Sequence, residues 1–243
     1  MKILMLHDCA FVGYELTREL KKHGVTIKHI QYHNKLGFSL KKGVNIIKAL
    51  IIIKKFKPDL IHANYLGLPS KMANFSGFPF LIHCHGSDVR KGLTKSQKRD
   101  IKKAEAILYA TPDLKYCLPK TAIYLKTPVG PQFKNLKHER IFFNAYRPLK
   151  YEYQRYGPTF HKIEHTDYSE MPSLLNQVNT FHDRTTIKSL SKTALESLAC
   201  GCNVLDYEKK WLRSLPEGHR VSEVAQELLK IYENILMKKI LGG

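Results

Sequence analysis

MKILMLHDCAFVGYELTRELKKHGVTIKHI, residues 1–30, is the stretch that decides the fold. Ile3 to His7 is an apolar run of strand length. Tyr14 to His23 follows with helical spacing, Leu16 and Leu20 on one face and Glu15, Arg18, Glu19 and Lys22 around the rest. Gly24 ends that helix as a C-cap, and Val25 to Ile30 alternates as a second strand. A strand, a helix and a strand within thirty residues is the unit of a parallel sheet covered by helices.

The pattern continues. Leu40 to Phe56 reads as a helix that Pro58 stops, and Leu60 to Ala63, Pro79 to His83 and Ala106 to Ala110 read as further strands. Two prolines and a glycine punctuate Lys126 to Pro131, the best linker in the chain. Beyond it come strands at Arg140–Tyr146, Thr159–His165 and Thr180–His182. A helix over Ser191–Cys200 capped by Gly201, a strand at Asn203–Asp206 and a long amphipathic helix over Val221–Leu241 complete the second half. The expected fold is α/β, with two Rossmann-like domains built on parallel sheets and a cleft between them. The expected domains are 1–130 and 131–243, with the C-terminal helix free to pack back on the first.

Composition narrows the class. At 243 residues with 43% hydrophobic side chains, the chain can bury a core despite its formal charge of +19. No apolar run reaches the roughly 18 residues of a membrane span, and Met1 to Leu6 lacks the core and cleavage site of a signal peptide. The expected location is cytoplasmic, at the inner face of the membrane. The charge is lopsided: residues 1–130 hold 23 Lys and Arg against 8 Asp and Glu, whereas residues 131–243 hold 17 against 13. Such asymmetry points to an anionic partner for the first half. Tyr and Phe are scattered rather than interleaved with the basic residues, which argues against nucleic acid. Lysines at both ends of the apolar body of Lys41–Lys57 leave two readings, a helix on a membrane surface or a sheet-covering helix with solvated ends. Five cysteines form no C-x-x-C pair, and neither Cys200-Gly201-Cys202 nor His83-Cys84-His85 has the second ligand pair of a zinc site, so no metal is expected.

Ligands bind off the carboxyl ends of parallel strands. There lie His7 and Asp8 with Gly13, then His62 and Asn64, then His83, His85, Gly86, Ser87 and Asp88. Any one of these histidines has the plainer reading of a hydrogen-bonded structural residue, but the clustering singles out His85 and Asp88. In the second half, Ser189-Leu-Ser191-Lys192-Thr193-Ala-Leu-Glu196 opens a helix with hydroxyls and a lysine. A helix start offers free N–H groups and a positive dipole end to phosphate. Ordinary capping by Ser191 explains the same residues equally well.

The segment Thr193-Ala-Leu-Glu196-Ser-Leu-Ala-Cys200-Gly201-Cys-Asn-Val204 resembles the donor-binding signature of GT-B glycosyltransferases, especially the retaining family-four type. Pro58-Asp-Leu-Ile-His62-Ala63, His83-Cys-His85-Gly-Ser-Asp88 and Pro128-Val-Gly130 resemble other parts of that pattern. The resemblance implies a metal-independent, retaining transfer of sugar from a nucleotide donor, such as a UDP- or GDP-sugar, with no further cofactor. It places His85 and Asp88 at the reaction centre and Gly13 near the phosphates. Glu196 would hold the ribose, and Lys188, Ser189, Ser191, Lys192 and Thr193 would line the diphosphate and sugar. Arg147 and Lys150 would neutralise the pyrophosphate. The lopsided charge then places an anionic, lipid-linked or glycan acceptor over the basic first domain, with peripheral membrane contact there. Lys188, eight residues before Glu196, stands where the family has its other glutamate, and this departure keeps a rival reading in play: a non-catalytic basic α/β module that docks anionic membrane or nucleic acid.

Overall fold

The computed structural model describes residues 1–31, 40–148, 159–164, 166–183 and 186–242, with side chains 40–46 and 242 left aside. The chain forms two compact units, one of Met1–Lys126 with Ser222–Gly243 and one of Thr127–Val221. Each is an α/β Rossmann-like unit on a predominantly parallel sheet.

In the first unit, β1 (Lys2–Leu6), β2 (Thr26–Ile30), β3 (Leu60–Ala63), β4 (Phe80–Cys84), β5 (Ala106–Tyr109) and β6 (Ile123–Tyr124) line up in the order β2-β1-β3-β4-β5-β6. Every pairing is parallel. β3 and β4 are buried at every position, as strands covered on both faces must be. One sheet face packs α1 (Val12–Lys22) and α7 (Val221–Gly242), through Leu16 and Leu20 and through Val224, Leu228, Tyr232 and Ile235. The other face packs α2 (Leu40–Phe56), α3 (Leu68–Ser76) and α4 (Lys95–Lys103), through Ala49 and Ile53, Met72 and Ala73, and the partly buried Ile101. The C-terminal helix is thus part of the first unit's core.

α3 and α4 carry little of the apolar periodicity that betrays a helix. α4 reads Lys-Ser-Gln-Lys-Arg-Asp-Ile-Lys-Lys, with one large apolar side chain. Polar bonds hold it instead. Thr94 Oγ1 accepts from Gln97 N–H, while the Gln97 side chain accepts from Thr94 N–H. Buried Asp100 accepts from Ser70 and Asn74 of α3.

In the second unit, β7 (Phe142–Tyr146), β8 (Phe160–Lys162), β9 (Val178–His182), β10 (Asn203–Leu205) and β11 (Trp211–Leu212) take the order β11-β10-β9-β7-β8. The edge pair β10–β11 is antiparallel: a tight Asp206 turn returns the chain directly, leaving no room for a crossover helix. α5 (Met171–Asn176) and α6 (Lys192–Ala199) pack Met171, Leu175, Leu195 and Leu198 into one core with Val178, Phe181 and Val204. Arg140 gathers the carbonyls of Leu175, Val178 and Cys200 onto its guanidinium, tying the ends of α5 and α6, whose last carbonyls lack helical partners, to the start of β9. Gly201 is fixed by two demands at once. Its φ is +81, and a Cβ there would stand 2.4 Å from the Asn135 side chain. No helix among the described residues is long and apolar enough to cross a membrane.

Candidate functional site

Each sheet has a point where the strand order reverses direction, and ligands bind off the carboxyl ends there. In the second unit that point lies between β7 and β9. Arg147 follows β7, and Asp183 follows β9. The Asp183 carboxylate accepts from Ser191 N–H at 2.8 Å and so sets the start of α6. Ser191 caps that helix, its hydroxyl accepting from Ala194 N–H at 3.1 Å. Arg147 donates to the Thr193 hydroxyl at 3.1 Å, which places an exposed guanidinium beside the helix start.

One turn into α6, the buried Glu196 is already engaged. Lys192 Nζ donates to its Oε1 at 2.7 Å, and the Tyr168 hydroxyl donates to the same oxygen at 2.8 Å. Lys192 also contacts the Tyr168 hydroxyl and lies 4.5 Å from the centre of its ring, an attraction of cation for π-face. The Phe133 ring lies against it at a tilt, their centroids 5.5 Å apart. The structure therefore brings together Arg147, Ser191, Lys192, Thr193 and Glu196, all expected, and adds Tyr168, which sequence reasoning missed. No local pattern announces Tyr168, since it lies 28 residues from Glu196 in a polar turn. Ser189 is buried and Lys188 is exposed in the same loop. Lys150 lies outside the described residues.

In the first unit the equivalent point lies between β1 and β3. The turn after β1 is tight: His7, Ala10 and Phe11 all have φ between 51 and 69, the left-handed region that disfavours side chains. The Asp8 carboxylate accepts from the N–H groups of Gly13 and Tyr14, so the start of α1 is occupied by the chain's own anion. A Cβ on Gly13, in the first turn of α1, would sit 2.9 Å from the Asn64 side chain and 3.2 Å from the His7 carbonyl, so glycine lets the helix start pack close against the turn after β1. Asn64 Oδ1 in turn lies 2.6 Å from His85 Nε2.

His85, His83 and His62 form a row of rings, with centroids 4.3 Å and 5.4 Å apart. His62 ends the row with a 2.6 Å hydrogen bond between its Nδ1 and the Tyr232 hydroxyl of α7. Burial drives all three imidazoles well below their ordinary pKa, His62 to about 3, and the neighbouring rings add to the effect. They are neutral at physiological pH. Among the described residues, neither nitrogen of His83 has a partner, nor has Nε2 of His62.

Asp88 was expected at the reaction centre beside His85. Its carboxylate accepts from the backbone N–H groups of Leu66, His85 and Gly86. Burial raises its pKa, and these backbone bonds work in the opposite direction. Gly86 has φ +122, and a Cβ there would meet the Arg90 guanidinium at 2.0 Å. Asp88 and Gly86 thus position the turn that carries His85.

No family model matches the chain, and no curated protein matches it. Solved structures do. Sucrose-phosphate synthase from Thermosynechococcus elongatus superposes with a TM-score of 0.61 at 11% identity, over 97% of this chain and 90% of that one. A glycosyltransferase from Rickettsia africae gives 0.58 at 11% identity, over 97% and 98%. UDP-GlcNAc 2-epimerase from Neisseria meningitidis, bound to UDP-GlcNAc, gives 0.52 at 14% identity, over 98% and 94%. The chain has the fold these proteins share, the GT-B type.

Proposed function

We propose that this chain is a glycosyltransferase that moves a sugar from a nucleotide donor, a UDP- or GDP-sugar, to an acceptor. The observation that carries the proposal is the cluster at the start of α6. A buried carboxylate, Glu196, stands one turn inside a helix N-terminus that Arg147 flanks. The helix start and Arg147 suit a diphosphate, and Glu196 suits the two hydroxyls of a ribose. Lys192 would exchange the carboxylate for a phosphate oxygen as the ribose arrives, and Tyr168 would keep its bond to Glu196. Positive charge and helix dipole then stabilise the leaving nucleoside diphosphate with no metal and no further cofactor.

In this proposal the reaction retains the configuration of the sugar. His85, held by Asn64 and by the Asp88 turn, is the first unit's candidate at the reacting sugar. Its neutrality makes it a hydrogen-bond partner rather than a charge. The acceptor is anionic, a lipid-linked or glycan molecule, and the protein works at the inner face of the membrane. The likeness to a 2-epimerase bound to UDP-GlcNAc favours a second reading, an epimerase acting on the same class of donor. Analysis of the products separates the two: a new glycosidic bond for transfer, an altered free nucleotide-sugar for epimerisation.

A thermal-shift screen over UDP-, GDP- and ADP-sugars tests donor binding. A ligand at about 100 times its Kd adds about 2.7 kcal/mol to the stability of the unit that holds it. The expected outcome is a raised melting temperature with one nucleotide class. No shift with any of them at millimolar concentration would overturn the proposal.

A further inference from the structure

The layer of α2, α3 and α4 has an outer surface that the donor site does not use. α3 packs against both α2 and α4, so the three form one continuous sheet covering. Together they expose nine Lys or Arg side chains: Lys48, Lys54 and Lys55 on α2, Lys71 on α3 and five on α4. Their sequences contain a single carboxylate, Asp100, and it is buried. None of the nine is in an ion pair among the described residues.

Large apolar side chains stand among these cations. Ile47 is 60% exposed, Ile51 47% and Phe75 83%. Ile47, Ile51 and Lys54 follow one another at helical spacing on the side of α2 opposite Ala49 and Ile53, which face the core. The usual solvated surface mixes both signs of charge and keeps isoleucine inside. This layer has one sign and three protruding apolar groups.

We propose that the outer surface of α2, α3 and α4 docks on an anionic lipid bilayer, the lysines on the headgroups and Ile47, Ile51 and Phe75 in the acyl boundary. Charge alone suits any polyanion. The isoleucines decide between them, because a bilayer offers an apolar phase, whereas a nucleic acid offers phosphates and stacking faces that a β-branched side chain cannot use. The inference is independent of the donor site, and nucleotide-induced thermal shifts serve as its control.

Sedimentation of the full chain with vesicles tests it. Vesicles of phosphatidylcholine alone are compared with vesicles containing about one-third phosphatidylglycerol, at low and high salt. The expected result is binding to the anionic vesicles alone, weakened by salt. Each lysine contributes about fivefold to the partition coefficient, so K48E/K54E/K55E should lose about a hundredfold or more. The variant I47S/I51S/F75S, which keeps every charge, should lose about a hundredfold on the same vesicles. All three sites are exposed, so its melting temperature and its nucleotide response should match the wild type. Equal binding to neutral and anionic vesicles would overturn the proposal. So would tight binding of a short RNA oligonucleotide that the apolar variant leaves intact, with no binding to vesicles.

Discussion

Replacing Glu196 with alanine is expected to lower the affinity for a nucleoside diphosphate by about a hundredfold or more and to abolish transfer. A hydrogen bond to a charged group contributes about 1.5–3 kcal/mol, and a ribose brings two hydroxyls to this carboxylate. Loss of both is about 3–6 kcal/mol. The same change strands Lys192, whose side chain is only 9% exposed and whose ammonium Glu196 neutralises at 2.7 Å. Removing one partner of a buried pair costs about 3–5 kcal/mol when the other cannot reach water. Lys192 has a solvent route that Glu196 lacks, so the stability loss should fall at the lower end of that range. Glu196→Gln separates the two effects. The amide keeps the shape of the site and an acceptor for Tyr168, so the unit should stay folded while affinity still falls. Calorimetric titration of both variants, alongside urea unfolding, reads the two losses independently. Affinity unchanged in a folded Glu196→Gln would show that the carboxylate takes no part in binding.

Acid is expected to destabilise the first unit from below about pH 6.5, with no carboxylate needed to explain it. His62 titrates near 6.5 when unfolded and near 3 when folded. Between those values the unfolded chain binds more protons than the folded one, so stability falls as pH falls and the loss is complete at about pH 3. At about pH 5 His62 alone withdraws about 2 kcal/mol, since each pKa unit corresponds to about 1.4 kcal/mol. His83 and His85 shift in the same direction and face the same row, so their protons add to the loss as one coupled group. Asp88 opposes the trend: its raised pKa penalises the fold at neutral pH, and protonation relieves that penalty. Urea unfolding at about pH 7.5 and pH 5 measures the difference, and His62→Gln should flatten the slope. A first unit equally stable at both values would contradict the neutral, buried row.

Much of the architecture was legible because strand burial writes itself into composition. Leu60–Ala63 and Phe80–Cys84 are covered on both faces and therefore nearly continuous in apolar residues. α1, α6 and α7 declared themselves by one apolar stripe each. α4 did not, because Asp100 and a reciprocal Thr94–Gln97 cap hold it where a core face would normally do so. At the site, the spacing from Ser191 to Glu196 was visible because one helix carries all of it. Tyr168 was not, since it reaches Glu196 only through the tertiary fold. Asp88 is the instructive case. An acid beside a histidine at a strand end looks like chemistry, and the fold adds what the sequence does not show: three backbone N–H groups on its carboxylate that shape the turn. Such backbone bonds leave no trace in the order of residues.

Amide hydrogen exchange with and without a saturating nucleoside diphosphate tests the central claim most directly. The account predicts protection of the amides at the start of α6, from Ser191 to Leu195, and of the segment around Arg147. Protection elsewhere with no change at α6, or binding with no protection at either segment, would contradict it.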